Sequence, residues 1–311
     1  MSMRIGVIGL GLIGGSLLRA LHAAGHEATG YDTDRTTRLA AVASGLRTVD
    51  SLDTWRVDVT VLAVPLPALG AVMPALDGYD GLITDVVSVK TPLRDLLAGR
   101  RFVGGHPMAG KETSGFEHSD ADLFTHRVWA LCLDEETSLD DWLELARLYT
   151  AMGARVVPTT AAEHDAAVAA VSHVPHLLAA ALVEAAGDPL PRALAASSFR
   201  DGTRVALTRP ELVAAMAGGN AAAVRAALDR TLASLKEARA ALDADDPAAA
   251  VEAWFTPAWR GRRDWPSTPG PAQTTLVDRE RLLELGRAGG WVHSFDDDRH
   301  ITVMRPAATV P

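Results

Sequence analysis

The stretch Arg4-Ile-Gly-Val-Ile-Gly9-Leu-Gly11-Leu-Ile-Gly14-Gly15 decides the fold. Arg4–Ile8 is a short β-branched run that reads as a strand, and Ile13–Ala24 has the spacing of a helix, so the glycines fall in a strand-to-helix turn. Gly9 permits the tight turn, Gly11 lets a ligand approach the backbone, and Gly14 lets the helix pack closely on the strand. Free amides and the helix dipole then favour a diphosphate at the helix start. Asp32 stands 18 residues beyond Gly14, at the end of the second strand run Ala28–Tyr31, where a carboxylate accepts from a ribose diol. Its charge disfavours an additional phosphate on that ribose, so NAD is expected rather than NADP. Arg35 is the nearby cation that could hold such a phosphate. Leu12 and Ile13 in the turn, and Val64 at the end of the run Val57–Val64, complete the expected cofactor contacts. Arg4 with the uncharged residues up to Leu18 mimics a secretion signal, but Gly6, Gly9, Gly11, Gly14 and Gly15 break it and no clear cleavage site follows.

Outward from this turn, β-branched runs alternate with helical stretches as far as Pro158. Further strands are expected at Leu82–Val86, Arg101–Val103, Val128–Leu133 and Arg155–Val157, and further helices at Arg35–Ala43, Ala68–Leu76, Pro92–Ala98 and Leu139–Met152. Such alternation predicts an α/β Rossmann domain over residues 1–158, a doubly wound and mostly parallel sheet with ligands at the carboxyl ends of its strands. Residues 159–262 are Ala-rich and read as an all-α substrate and dimerisation domain. Its first helix starts near Ala161, because Thr160-Ala-Ala-Glu163 fits a capping box. Later helices are expected at Leu190–Phe199, Glu211–Ala217, Ala221–Leu242 and Pro247–Phe255. Residues 263–311 read as a Pro-rich linker and a short β-α-β-β extension. That extension is half of a known ligand-binding pattern and is read as a dimer-stabilising arm, with Asp296-Asp297-Asp298 as a hairpin turn.

Composition narrows the class further. Among 311 residues, 48% are hydrophobic and 22% charged, which excludes disordered and collagen-like chains, and the one cysteine, Cys132, excludes a disulfide scaffold. Thirty Lys and Arg against 39 Asp and Glu give a net charge of -9. A broad nucleic-acid interface is therefore not expected, and an anionic ligand needs a few placed cations. The uncharged runs Val59–Leu76 and Ala166–Val183 carry prolines, a glycine or histidines that interrupt them, so no membrane span is expected. The reading is a cytoplasmic protein, with wide apolar helical stripes that suggest a homodimer.

Four segments carry chemistry: Thr84-Asp-Val-Val-Ser88-Val-Lys90, Gly104-Gly-His106-Pro-Met-Ala-Gly-Lys-Glu112-Thr-Ser-Gly115, Val171-Ser172-His173-Val-Pro-His176 and Phe199-Arg-Asp201-Gly-Thr-Arg204. Together they resemble the prephenate/arogenate dehydrogenase family of tyrosine biosynthesis, from about residue 3 to about residue 255. The resemblance implies NAD-dependent oxidative decarboxylation of a cyclohexadienol. That reaction needs a base for the hydroxyl proton, a cation for an anionic substrate and an aligned, dry site.

A neutral imidazole suits the base, and His106, on a glycine-flanked loop beyond a strand end, is the candidate; it matches the family's catalytic histidine. The resemblance implies that Ser88 hydrogen-bonds and orders that histidine; an ordinary local turn is the alternative. Arg204 offers a bidentate fork for a carboxylate, and by resemblance it binds the ring carboxylate of the substrate. Asp201 pairs with or orients a neighbour, and Arg200 is structural. His173 and His176 could share a helix face, with Pro175 marking a helix start or kink. By resemblance their segment lines the substrate cleft, so that Ser172 and His176 join the substrate set, and Glu112 lies near the entrance. The other histidines are read as surface residues, and no residue cluster has metal-ligand spacing.

Where the family often carries a tryptophan beyond Arg204, this chain has Val213, which leaves the substrate tail open: prephenate first, then arogenate or an amino-substituted prephenate. A 3-hydroxyacid dehydrogenase is a more distant enzyme reading, and a non-catalytic nucleotide-binding dimer is the reading from another class. The presence of both His106 and Arg204 weighs against the latter.

Overall fold

A computed structural model describes residues 3–307. They form two units, one made of the chain up to His164 together with Pro271–Arg305, the other of Asp165–Gly270 with Pro306 and Ala307. Strands are numbered β1 to β12, and helices of eight or more residues α1 to α8.

In the first unit β1 (Arg4–Ile8), β2 (Glu27–Tyr31), β3 (Arg47–Thr48), β4 (Val59–Leu62), β5 (Leu82–Asp85) and β6 (Phe102–Val103) form a wholly parallel sheet in the order β3-β2-β1-β4-β5-β6. The order reverses between β1 and β4, and that switch point is where the glycine turn leaves β1. Every residue of β4 and β5 is buried, as befits strands covered on both faces. Helix α1 (Leu12–Ala23) buries Leu17, Leu18 and Leu21. Helix α2 (Arg35–Ala43) opens on Asp34, whose carboxylate accepts from the amides of Thr36 and Thr37. The helix expected over 68–76 is instead a run of short turns, with α-helix only at Leu69–Val72, because Pro67 and Pro74 remove amide donors.

A second six-stranded sheet corrects the expectation of a single sheet and a separate tail. It comprises β7 (Gly105–Pro107), β8 (Val128–Cys132), β9 (Arg155–Thr159), β10 (Gln273–Leu276), β11 (Trp291–Phe295) and β12 (His300–Met304), in the order β10-β12-β11-β9-β8-β7. Only β8 and β9 pair in parallel, with α3 (Leu139–Ala151) as the crossover. Alternation thus reports the βαβ unit correctly without saying which sheet receives it. The tail's β11 meets β9 at Val292 and Val156, so the segment expected as a dimer-stabilising arm extends its own chain's sheet. Its helix α8 (Arg279–Arg287) buries Leu282 and Leu285 in the same core as Trp129, Trp142 and Tyr149. Asp296-Asp297-Asp298 forms the turn between β11 and β12, where Asp297 accepts from the amides of Arg299 and His300.

The second unit is helical. Helix α4 (Ala161–Val168) runs into a π-helical turn, Ala169–His173, and then into α5 (Val174–Ala185). Helices α6 (Ala221–Leu242) and α7 (Pro247–Arg263) follow, with Ala169, Val174, Val224 and Ala227 as a small core. The helix expected over 190–199 is two, Pro189–Leu194 and Ser197–Thr203, separated by extended backbone at Ala195 and Ala196. Helix α7 passes through Pro257 to Arg263, beyond the stop that proline suggests from sequence. By length and composition alone the run Ala161–Ala185 could cross a membrane. It nevertheless buries three polar side chains, His164, Asp165 and His173. Leu182, Leu194, Leu232, Leu235, Phe255 and Trp259 are exposed on this unit.

Candidate active site

The glycine turn after β1 has the geometry its residues imply. Gly9 sits at φ +98°, where an L side chain is strained, and a Cβ there would lie 2.6 Å from the Ala63 carbonyl oxygen. A Cβ on Gly14 would lie 1.9 Å from the Gly9 oxygen, so only glycine lets α1 close on the turn. At Gly11, the N-cap of α1, nothing stands within 4 Å of a Cβ position, and no side chain caps the helix. Open space in front of uncapped amides is what a diphosphate requires. Leu12 and Ile13, in the first turn of α1, and Val64, just past β4, are each half-buried.

Asp32 follows β2 and is half-buried. Its Oδ2 accepts from the Leu10 amide at 2.7 Å and its Oδ1 from the Asp34 amide at 2.8 Å. The carboxylate is thereby fixed between the glycine turn and the start of α2. Sequence reasoning passed over Arg38, which donates to the Asp32 carbonyl at 2.7 Å and stands over the Tyr31 ring. Arg35 is exposed at the head of α2.

His106 is not on a loop. It is the middle residue of β7, opposite Ala130 of β8, and this strand begins two residues after β6 ends the parallel sheet. A three-residue Gly-His-Pro strand has no alternation to betray it. Beneath it lies a fully buried ion pair, Asp85 with Lys90. Asp85 Oδ1 accepts from the Gly105 amide at 3.0 Å and Oδ2 from the Val87 amide at 2.9 Å, while Lys90 Nζ donates to the Gly105 carbonyl at 2.6 Å. One pair therefore fixes the peptide between Gly105 and His106 through its carbonyl, and also holds the amides of Gly105 and Val87. Burial pushes the Asp85 carboxyl above the usual range, against the pull of Lys90. Gly105 has no room for a side chain, because a Cβ would lie 2.7 Å from the Asp85 carbonyl oxygen and 3.0 Å from Trp129 Nε1. Trp129 in turn stacks on Tyr149, with ring centroids 3.8 Å apart, and burial raises the Tyr149 phenol pKa.

Nδ1 of the His106 ring lies 2.9 Å from Nε2 of another histidine, His164. His164, read from sequence as a surface residue, is only 3% exposed. Ser88 is half-buried in the turn after β5, and Glu112 is exposed on the loop after β7.

In the second unit His176 Nδ1 donates to the Ser172 carbonyl at 2.8 Å, so Nε2 accepts from the Thr208 hydroxyl at 3.2 Å. The Ser172 side chain is half-buried within the π-helical turn. His173, at the end of that turn, is buried against Asn220, whose amide stands 3.3 Å from its Nδ1. Pro175 occupies the first turn of α5, so it marks a helix start. Asp201 pairs with Arg200 at 3.2 Å on the surface, and Arg204 is exposed one turn later. Among the described residues no group of three His, Cys, Asp or Glu side chains could hold a metal ion.

Two family models match the chain: the nucleotide-binding domain of prephenate dehydrogenase over residues 17–158 and the dimerization domain of prephenate dehydrogenase over 160–254. The chain belongs to the prephenate dehydrogenase family. This family of oxidoreductases includes a cyclohexadienyl dehydrogenase of Zymomonas mobilis, 35% identical over 263 residues that cover 78% of this chain and 89% of that one. Among solved structures, Synechocystis arogenate dehydrogenase matches with a TM-score of 0.74 at 30% identity, covering 85% of this chain and 100% of the other. Prephenate dehydrogenase of Aquifex aeolicus, solved with hydroxyphenyl propionate and NAD+, matches with a TM-score of 0.78 at 26% identity over 85% and 99%. The nucleotide-binding match begins within α1, after the glycine turn, and runs into β9, so it takes in strands of both sheets. The dimerization half is the helical unit, and the tail after residue 254 lies outside both matched regions.

Proposed function

We propose that this member of the family oxidises prephenate with NAD, releasing CO2 and 4-hydroxyphenylpyruvate. One observation carries the reading: a catalytic-type histidine and a diphosphate-type glycine turn leave the carboxyl edge of the same parallel sheet, one beyond β6 and one beyond β1. The glycine turn and the uncapped amides at the start of α1 would hold NAD, which would supply the hydride acceptor for the ring carbon that bears the hydroxyl. His106 takes the hydroxyl proton as that carbon is oxidised. The bond to the ring carboxylate then breaks, its electron pair completes the aromatic ring as CO2 departs, and the phenolate takes the proton back. Ser88 follows the clamped Val87 peptide at the neighbouring strand end and is assigned the substrate hydroxyl side of His106. Arg204 is assigned the ring carboxylate through its planar fork. Asp201 is assigned the orientation of its neighbour and Glu112 a place near the entrance, while His176 and Ser172 are assigned the lining of the substrate cleft. The Asp32 carboxylate repels a second ribose phosphate, which supports NAD over NADP.

The decisive experiment measures reduced nicotinamide with prephenate and with arogenate, each with NAD and with NADP. Turnover is expected to be highest with prephenate and NAD, and no reduction with any pair would overturn the dehydrogenase reading. Val213 supports a second reading. The smaller side chain leaves room for an amino-bearing substrate tail, and arogenate or an amino-substituted prephenate turning over faster than prephenate would establish it. Leu182, Leu194, Leu232 and Leu235, exposed within the region that matches a dimerization model, support a homodimer. Sedimentation at micromolar concentration should give twice the chain mass. With its one buried cysteine the enzyme suits the reducing cytoplasm.

A further inference from the structure

The start of α4 is fixed from three directions. Thr160 and Glu163 form a reciprocal capping box, with the Thr160 amide donating to Glu163 at 3.1 Å and the Glu163 amide to the Thr160 hydroxyl at 3.2 Å. The carboxylate of Asp134 accepts from the Ala161 amide at 3.0 Å, and Arg287 of α8 donates to Glu163 at 2.7 Å. His164 lies one turn into the helix, its amide bonded to the Thr160 carbonyl at 2.9 Å. Its backbone is therefore set by contacts unrelated to any ligand. Its ring meets His106 edge-on, with centroids 5.1 Å apart, and Nε2 reaches 2.9 Å from His106 Nδ1.

Two imidazole nitrogens at that distance share one proton, and which ring owns it fixes both tautomers. We infer that His164 is a positioning residue. It accepts from Nδ1–H of His106, and so holds the His106 ring in place with the lone pair on Nε2. The inference rests on the reading of His106 as the base, since the opposite tautomer would put a proton on Nε2 and leave it nothing to accept with. As His106 takes the substrate proton it becomes an imidazolium, and its bond to neutral His164 becomes charge-assisted. The device does what a carboxylate does behind other catalytic histidines.

The test compares H106N, H164F and H164Q in the intact enzyme, with 15N spectra of histidine-labelled wild type. Phenylalanine keeps the ring volume without an acceptor, whereas the glutamine carboxamide oxygen can accept from Nδ1–H. H164F should lower kcat at least tenfold while KM for prephenate and NAD stays within twofold, and H164Q should recover most of the lost turnover. The wild-type His106 ring should show protonated Nδ1 and unprotonated Nε2. A proton on Nε2, wild-type kcat in H164F, or equal losses in H164F and H164Q would each overturn the inference. The 15N spectrum decides the matter even if H164F fails to fold. Inactive H106N beside fully active H164F would sink the positioning role alone, whereas active H106N would sink the base reading itself.

Discussion

Two glycine turns leave the carboxyl edge of the parallel sheet, and they use glycine to opposite ends. The turn after β1 keeps space open: a Cβ at Gly11 would touch nothing, and the amides of α1 face outward. The turn after β6 has no space, since a Cβ at Gly105 would strike the Asp85 backbone and Trp129. The first reserves its amides for a diffusing anion. The second spends its amide on an internal carboxylate so that the next side chain, His106, is held in position. Cofactor binding by backbone tolerates many side chains, whereas presenting a base requires a buried clamp behind it.

Four experiments would break or sharpen that contrast. His106→Asn should lower kcat by about a hundred- to ten-thousandfold, the usual contribution of a general base, while substrate binding survives. Steady-state kinetics at saturating NAD checks this, and wild-type turnover would remove His106 as the base. Asp85→Asn leaves Lys90 buried without its counter-charge and should cost about 3–5 kcal/mol in urea unfolding. Asp85→Asn combined with Lys90→Met should lose less than the single change, and an additive loss would mean that the two do not act as a pair. The glycines themselves come next. Gly105→Ala should destabilise the fold by about 1–3 kcal/mol through overpacking. Gly11→Ala should leave the melting temperature unchanged and weaken NAD binding by about tenfold, and equal effects on stability would erase the distinction between the turns.

The smallest effect concerns the cap of α4. Burial raises the Glu163 carboxyl, but the hydrogen bonds from Arg287 and Thr160 outweigh it and leave the pKa below the ordinary 4.5. An acid depressed in the folded state adds stability above its unfolded pKa and loses it as pH falls through the folded value. Glu163→Gln should therefore flatten the fall in stability below pH 4.5. The change should stay under about 1 kcal/mol because the pair is partly solvated. An unchanged acid limb in thermal melts would show that the bridge to Arg287 contributes nothing.

The contrast also explains what could be read from sequence. Gly9, Gly11, Gly14 and Asp32 were legible because each responds to a local rule of turn geometry at fixed spacing. Thr160 and Glu163 were legible for the same reason. Gly105–Pro107 was missed as a strand because its partner, β8, lies more than twenty residues ahead and three residues carry no period. His164 was missed because its neighbour in sequence, Glu163, has an obvious local task, while its own contact spans 58 positions. Asp85 and Lys90 stood in a quoted motif, yet charged residues five apart give no sign that both are buried. The tail's β-α-β-β order was read correctly, but its destination depends on an open edge at β9 that no local pattern records.

That destination has a consequence for synthesis. The helical unit is an insertion within the first unit, because the chain leaves after β9 and returns only at β10. As the ribosome makes the protein, the second sheet's partner strands β8 and β9 emerge first, with the edge of β9 uncovered until β11 follows some 130 residues later. At about 5–20 residues per second that is roughly 7 to 26 seconds of exposure. The nascent nucleotide-binding half is therefore open to mispairing while the helical half is made, and shortening the tail would leave that edge exposed for good.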